Sequence, residues 1–231
     1  MSLKGDFLCN YFSLDTNYFT NPTNPENHDR YLQILHDECN RETALINDLL
    51  DLQRLEAGAD IIDLQTLPLQ EWLPPIVEAF QERARSCQQT LQLDLSPHLP
   101  PLISDPPNLE RIVTELLTNA CKYTPPEGVI VVTVRPRASV SLPGISNGVT
   151  IAVCNTGVEI PAAELSRVFE KFYRITSSDR WKRGGTGLGL ALVQKLVEQL
   201  GGSIWVESRA MQTTFTVELP MLQAQEEQAQ S

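Results

Sequence analysis

The chain has 231 residues, 42% hydrophobic and 20% charged, with a formal net charge of −11. That length holds one or two domains with a real core, and the acidic balance argues against a general nucleic-acid binder, which needs a basic face to displace counterions. There is no run of about 18 apolar residues, so no membrane span is expected.

The opening "MSLKGDFLCNYFSL" lacks the apolar core and small-residue cleavage site of a signal peptide, which points to a cytoplasmic location. Cys9, Cys39, Cys87, Cys121 and Cys154 are scattered and form no C-x-x-C pair. They suit a reducing compartment, as small side chains in a core. His28, His36 and His98 are far apart, so cysteine and histidine offer no metal site.

In chain order, residues 1–25 read as irregular, with "NYFTNPTNPEN" as a loop. Residues 26–58 read as one long helix, started at Pro25 and closed by Gly58. Leu35, Cys39, Ile46 and Leu49 form an apolar stripe, widened by Leu45 and Leu52. A lone helix cannot bury such a stripe, so a partner helix is needed, from this chain or from a second copy in a homodimer.

Residues 61–220 then read as one mixed α and β domain. "IIDLQTL" is an expected strand, "QEWLPPIVEAFQERARSCQQ" a helix and "LQLDL" a strand. "DPPNLERIVTELLTNACKYT" is a helix with proline near its first turn, and "GVIVVTVRP" and "VTIAVCN" are β-branched strands. "PAAELSRVFEKF" is expected to be a short helix and "GLGLALVQKLVEQLGG" a helix closed by glycine. "SIWVES" and "TTFTVELP" form a hairpin around "RAMQ", and residues 221–231 are a disordered tail. The expected fold is α+β, a two-layer sandwich with helices on one face of a mixed or mostly antiparallel sheet.

Three segments carry chemistry. "RGGTGLGLAL" puts glycines at a helix start, where bare N–H groups bind anions and the backbone can approach closely. It lacks the Lys-Ser/Thr of a P-loop, and no strand precedes it as a dinucleotide fingerprint requires. In "ELLTNACKYTP", Glu115, Asn119 and Lys122 share one helical face, a set suited to water, Mg2+ and phosphate. In "VCNTGVEIP", Asn155 ends a strand beside Gly157, where a polar side chain can read a base edge.

Together, "TELLTNACKYTP", "NTGVEIP", "VFEKFYR" and "GGTGLGLAL" resemble, in order and spacing, the nucleotide-binding boxes of the sensor histidine kinases, with a cyanobacterial cast. These belong to the superfamily that includes gyrase, the Hsp90 chaperones and MutL. "LINDLLDLQRLEAG" resembles the end of the second helix of the kinase dimerisation domain. The resemblance implies a Bergerat-type sandwich with ATP between a helix and a lid over about residues 169–186. It implies that Asn119 ligands Mg2+, that Lys122 contacts phosphate and that Tyr123 packs near adenine. Asn155, Gly157 and Ile160 would form the base end, Tyr173 and Arg174 would approach from the lid, and Gly185, Thr186, Gly187, Leu188 and Gly189 would wrap the phosphates. Glu115 stands where gyrase-type members carry the glutamate that orients a hydrolytic water.

Two departures stand out. Asn155 replaces the family's usual aspartate, which removes charge assistance worth roughly a factor of two in bond strength. Glu159 replaces that box's second glycine, and weakened ATP affinity is the expectation. No histidine sits in a phosphoacceptor box; His36, in "HDECNRE", lacks the residues that should follow it. The chain therefore reads as a kinase core cut just after its phosphoacceptor helix, with the acceptor on a kinase partner or a missing N-terminal segment, and a response regulator as the final recipient. The competing readings are a non-catalytic module that sequesters intact kinases or a regulator, and a serine kinase or ATPase of the same fold.

Overall fold

A computed structural model of the chain describes residues 25–58, 61–138, 146–175 and 185–221. The irregular N-terminal segment, the tail beyond 221 and the middle of the expected lid, 176–184, lie outside the described residues.

Helix α1 runs Pro25–Glu56, with Arg54 in its last turn against the negative end of the helix dipole. It closes as expected: Gly58 takes φ +63° and its N–H donates to the Leu55 carbonyl at 3.1 Å. The chain divides into two compact units inside this helix, between Ile46 and Asn47. In the first unit Leu32, Leu35 and Ile46 are each more than half exposed. In the second, Leu49 and Leu50 are exposed, whereas Leu52 is fully buried and Asp48 is 7% exposed.

The second unit is a two-layer α/β sandwich. Its main sheet has the order β2 (Thr90–Leu95), β4 (Val129–Ala138), β5 (Ser146–Thr156), β7 (Gln212–Pro220), β6 (Ser203–Arg209). The β2–β4 pair is parallel and the others antiparallel, so the sheet is mixed. Alternation decides which face is buried. Ile130, Val132 and Val134 of β4, Val149, Ile151 and Val153 of β5, and Phe215, Val217 and Leu219 of β7 are all buried. Against them pack α4 (Pro106–Tyr123) and α5 (Gly189–Gln199), through Ile112, Leu116, Leu117, Leu192, Leu196 and their neighbours. The β6–β7 hairpin turns at Ala210 and Met211, both at positive φ, the geometry that matches the twist of two-residue hairpins.

Four elements differ from their sequence signals. The "IIDLQTL" strand shrinks to β1 (Gln65–Leu67), which pairs with an unforeseen β3 (Leu102–Ser104) in a separate two-stranded ribbon. The helix expected over "QEWLPPIVEAFQERARSCQQ" is two, α2 (Leu69–Glu78) and α3 (Gln81–Ser86). Pro74 and Pro75 remove two helical donors from α2, and the bond from Phe80 N to the Val77 carbonyl tightens the chain at its end. "PAAELSRVFEKF" is a run of turns, each closed across three residues: Glu164 on Pro161, Arg167 on Glu164, Glu170 on Arg167. Tertiary packing overrides propensity here. Val168 is buried and Phe169 meets Phe215 edge to face at 6.2 Å between ring centroids.

Candidate nucleotide site

The site is organised by α4. Asp105 caps its start, accepting from Asn108 N at 2.9 Å through one carboxylate oxygen. Its other oxygen accepts from Asp63 N at 2.9 Å, anchoring the chain that enters β1. Leu109, Ile112, Val113, Leu116, Leu117, Ala120 and Cys121 bury one face of the helix. The opposite stripe is Arg111, Glu115, Asn119 and Lys122. At the far end, buried Gln89 donates to the Cys121 and Thr124 carbonyls at 2.9 and 2.6 Å. It thereby satisfies carbonyls that a helix end leaves unpaired, and fixes the turn carrying Lys122 and Tyr123.

This stripe meets the glycine segment at both ends. A Cβ on Gly185 would stand 2.5 Å from Lys122 Nζ, and a Cβ on Gly189 would stand 2.6 Å from Glu115 Oε2. Glycine at both positions lets the ammonium and the carboxylate lie directly against bare backbone, where a Cβ would push these side-chain ends aside. Asn119 lies one turn from each of these groups, half-buried between them. The Lys122 ammonium stands 4.8 Å over the Tyr123 ring, a cation–π contact that holds both side chains together. Gly185 and Gly187 take positive φ, and Leu188, the residue before α5, is fully buried and seats the loop.

The second wall is the end of β5. Asn155 falls on the inward row of Val149, Ile151 and Val153, so a polar residue terminates an apolar row, and it is 5% exposed. It pairs in register with Ile130 and Thr213. Beyond it, Gly157 at φ +85° packs so closely on the Pro125 ring that a Cβ would overlap it. That contact joins the β5 end to the α4 end. The following residues are tied to the β6–β7 hairpin. Gly157 N donates to the Met211 carbonyl at 2.7 Å, and Ile160 N donates to Ser208 Oγ at 2.8 Å. Thr213 Oγ1 donates to the Val158 carbonyl at 3.0 Å. Glu159, the residue standing in a glycine's place, accepts from Met211 N at 3.0 Å. Its carboxylate pins the hairpin turn.

From the other side, Phe172 N donates to the Gly187 carbonyl at 2.9 Å, which brings Tyr173 and Arg174 alongside the glycine loop. Both are half-buried, and the Arg167 guanidinium lies 4.1 Å over the Tyr173 ring. The structure thus gathers Glu115, Asn119, Lys122, Tyr123 and Gly185 to Gly189 into one wall. Asn155, Gly157 and Ile160 form a second, linked to the first through Pro125.

Two charged residues in this region escaped the sequence reading. Arg111 donates to Asp48 at 2.7 Å and lies 3.1 Å from Glu115. Burial pushes both carboxyls above their ordinary values; Arg111 opposes the shift at both and the Thr186 hydroxyl opposes it at Asp48, while like charge adds to it, from Asp51 at Asp48 and from Asp48 at Glu115. The helical spacing of Arg111 and Glu115 was visible as an i, i+4 pair. Asp48 comes from a different helix and left no local signal.

These raised values set a pH dependence. A carboxyl whose folded pKa lies above its unfolded one stabilises the fold below the unfolded value and loses that contribution as pH rises through the folded value. The window opens at the ordinary values of 3.8 and 4.5 and extends upward. Glu115→Gln, neutral throughout, is expected to melt above the native chain at about pH 7.5, with the difference vanishing near about pH 4. Calorimetric melting across that range decides it; a variant less stable at the higher pH would mean that Arg111 outweighs burial.

Residues 104–223 match the family described as histidine kinase-, DNA gyrase B-, and HSP90-like ATPase. The circadian input-output histidine kinase CikA of Synechococcus elongatus is 36% identical over 193 residues, 82% of this chain and 24% of that protein. The signal transduction histidine-protein kinase BarA of Escherichia coli is 34% identical over 78% of this chain and 19% of its own length. The adaptive-response sensory kinase SasA of Synechococcus elongatus is 33% identical over 77% and 44% respectively. The chain thus spans less than half the length of these relatives. Among solved structures, full-length ShkA in complex with AMPPNP superposes with a TM-score of 0.70 at 26% identity, covering 85% of this chain and 39% of that one. The histidine kinase ThkA in complex with the response regulator TrrA superposes with a TM-score of 0.67, covering 94% and 56%; at 21% identity it speaks to the fold alone.

Proposed function

Since the chain belongs to the histidine kinase-, DNA gyrase B-, and HSP90-like ATPase family, we propose that it binds ATP between α4 and the glycine loop and donates the γ-phosphate to a histidine not present in this chain, for relay to a response-regulator aspartate. One observation carries the reading. Lys122 and Glu115, on one face of α4, close on Gly185 and Gly189 at the start of α5. An ammonium, a helix N-terminus and glycine backbone converge where phosphates would lie. The ShkA complex with AMPPNP supports an adenine nucleotide as the ligand.

Each residue then has a stated part. Lys122 and the backbone at Gly185, Gly187 and Gly189 would hold the phosphates. Arg174 would approach them from the Phe172–Gly187 side. Asn155, with Gly157 and Ile160 fixing the turn behind it, would accept from the adenine amino group, and Tyr123 and Tyr173 would flank the nucleotide. Mg2+ fits the donor set: Asn119 offers an amide oxygen on the stripe between Glu115 and Lys122, the hard ligand such an ion takes alongside phosphate oxygens. Its chemistry would be charge neutralisation at the phosphates. Glu115 would orient whatever attacks the γ-phosphate. The exposed Leu32, Leu35, Ile46 and Leu49 on α1 favour a helical partner, a second copy or another kinase's helix.

The same exposed stripe also supports the second reading, a module that captures intact kinases without catalysis. Incubation with γ-labelled ATP, alone and with a supplied dimerisation domain bearing an intact phosphoacceptor box, separates the two. Label on the supplied histidine is the expected result. Nucleotide binding with tight association and no transfer would favour the module, and acid-stable label on serine would point to a serine kinase.

A further inference from the structure

The nucleotide reading gives no part to Asp48 and Arg111, which are connected to each other and to Thr186 of the glycine loop. Asp48, near the end of α1, is 7% exposed. Its Oδ1 accepts from Arg111 Nη2 at 2.7 Å and its Oδ2 accepts from Thr186 Oγ1 at 3.2 Å. Thr186 lies between Gly185 and Gly187, both at positive φ, and its Oγ1 also accepts from Leu188 N at 3.2 Å. A guanidinium N–H and a hydroxyl on a glycine loop are donors that a phosphate oxygen takes. Here a carboxylate of the chain itself takes them.

We propose that Arg111 and Thr186 form an oxyanion subsite for the terminal phosphate of the nucleotide, and that Asp48 is its internal competitor. The inference rests on the nucleotide reading above. Three features make Asp48 a competitor rather than a bystander. It is bound by the same two donors a phosphate would recruit. It reaches the glycine loop from α1 rather than from the elements that build the loop. And Glu115, 3.1 Å from the same Arg111 nitrogen, stays on α4 whether or not Asp48 is present, so the guanidinium remains aimed along that helix. A γ-phosphate carries more charge and more acceptor oxygens than a carboxylate, so it draws Arg111 and Thr186 to itself and releases Asp48. A nucleotide lacking that phosphate leaves Asp48 in place. Because coupling is reciprocal, any event that pulls the end of α1 away strengthens binding of a triphosphate. Nucleotide state and the seating of the end of α1, from Asn47 on, thus report on each other.

The test compares Mg-ATP with Mg-ADP by calorimetry, on the full chain and on Asp48→Asn. The variant is expected to bind ATP at least about fivefold tighter while ADP affinity stays within about twofold. Arg111→Gln added to Asp48→Asn should erase the gain. A purely structural tie would lower melting temperature and leave the ATP-to-ADP ratio unchanged, which overturns the competition alone. If neither nucleotide binds to either protein, the nucleotide reading itself falls. Should the variant not fold, the native chain gives an independent reading. The Asp48 carboxyl carbon resonance should move on adding Mg-ATP and not on adding Mg-ADP, and an unmoved resonance overturns the proposal.

Discussion

Asn119→Ala is expected to lower Mg-ATP affinity by about 100-fold while leaving the fold intact, because a positioned metal ligand or its support is worth roughly 10–100-fold in affinity. Asn119 stands on α4 with Glu115 one turn before it and Lys122 one turn after, and both of those face the glycines that open α5. No other residue on that stripe offers a neutral amide oxygen. Alanine has the higher helix propensity, and the buried face of α4 is made by other residues, so melting temperature should hold or rise slightly. Asn119→Asp keeps an oxygen ligand and should retain more affinity than alanine. Isothermal calorimetry measures both, with circular dichroism to confirm the helix. An alanine variant within about threefold of the native affinity would remove Asn119 from the metal role, given the size of ligand effects elsewhere.

What the sequence showed about this site was local. The stripe on α4, the glycines before α5 and the polar end of β5 are each patterns within a few residues, and helical or strand periodicity converts them directly into faces. Asn155 is an instructive case. Its place in the row Val149, Ile151, Val153 could be counted off the sequence, so its burial was legible even though it is polar. What was not legible came from distant elements. Glu159 read only as a missing glycine; its contact with Met211 crosses 52 residues and depends on how the β6–β7 hairpin lies against β5. Gln89 supports the end of α4 from 32 and 35 residues away. Asp48 reaches Arg111 across 63 residues and Thr186 across 138. Such pairings have no period. The fold errors share that cause: three-residue strands such as β1 and β3 take their form from each other, and the turns over 161–173 take theirs from packing of Val168 and Phe169 on the core.

Gly187→Ala is expected to destabilise the chain by about 3 kcal/mol, the upper range for a single substitution with a named backbone cause, and to weaken nucleotide binding with it. Two terms combine. Gly187 has φ +75°, a conformation that costs an L-residue roughly 1–2 kcal/mol. Its Cβ would also stand 3.0 Å from the Phe172 Cα and carbonyl carbon and 3.2 Å from the Tyr173 oxygen. Those are backbone atoms, and they cannot retreat freely, because Phe172 N is bonded to the Gly187 carbonyl at 2.9 Å. Phe172 itself sits at φ +62°, so the approach of these two segments is already held in a demanding geometry. Gly58 supplies the control. It has φ +63° but nothing within 4 Å of a Cβ, so Gly58→Ala carries the conformational term alone, about 1 kcal/mol. Gly185 separates the site from the scaffold in the other direction. Its φ is +127°, so Gly185→Ala also carries a conformational term, but a Cβ there meets only Lys122 Nζ and Cε, the mobile end of a long side chain, so the steric part falls on nucleotide affinity, through the displaced ammonium, rather than on stability. Chemical denaturation of the three variants, paired with calorimetric titration of Mg-ATP, tests the ordering. If Gly187→Ala and Gly58→Ala lose the same stability, the contact between the glycine loop and Phe172 does not constrain the loop, and the phosphates are held by α4 and the start of α5 without it.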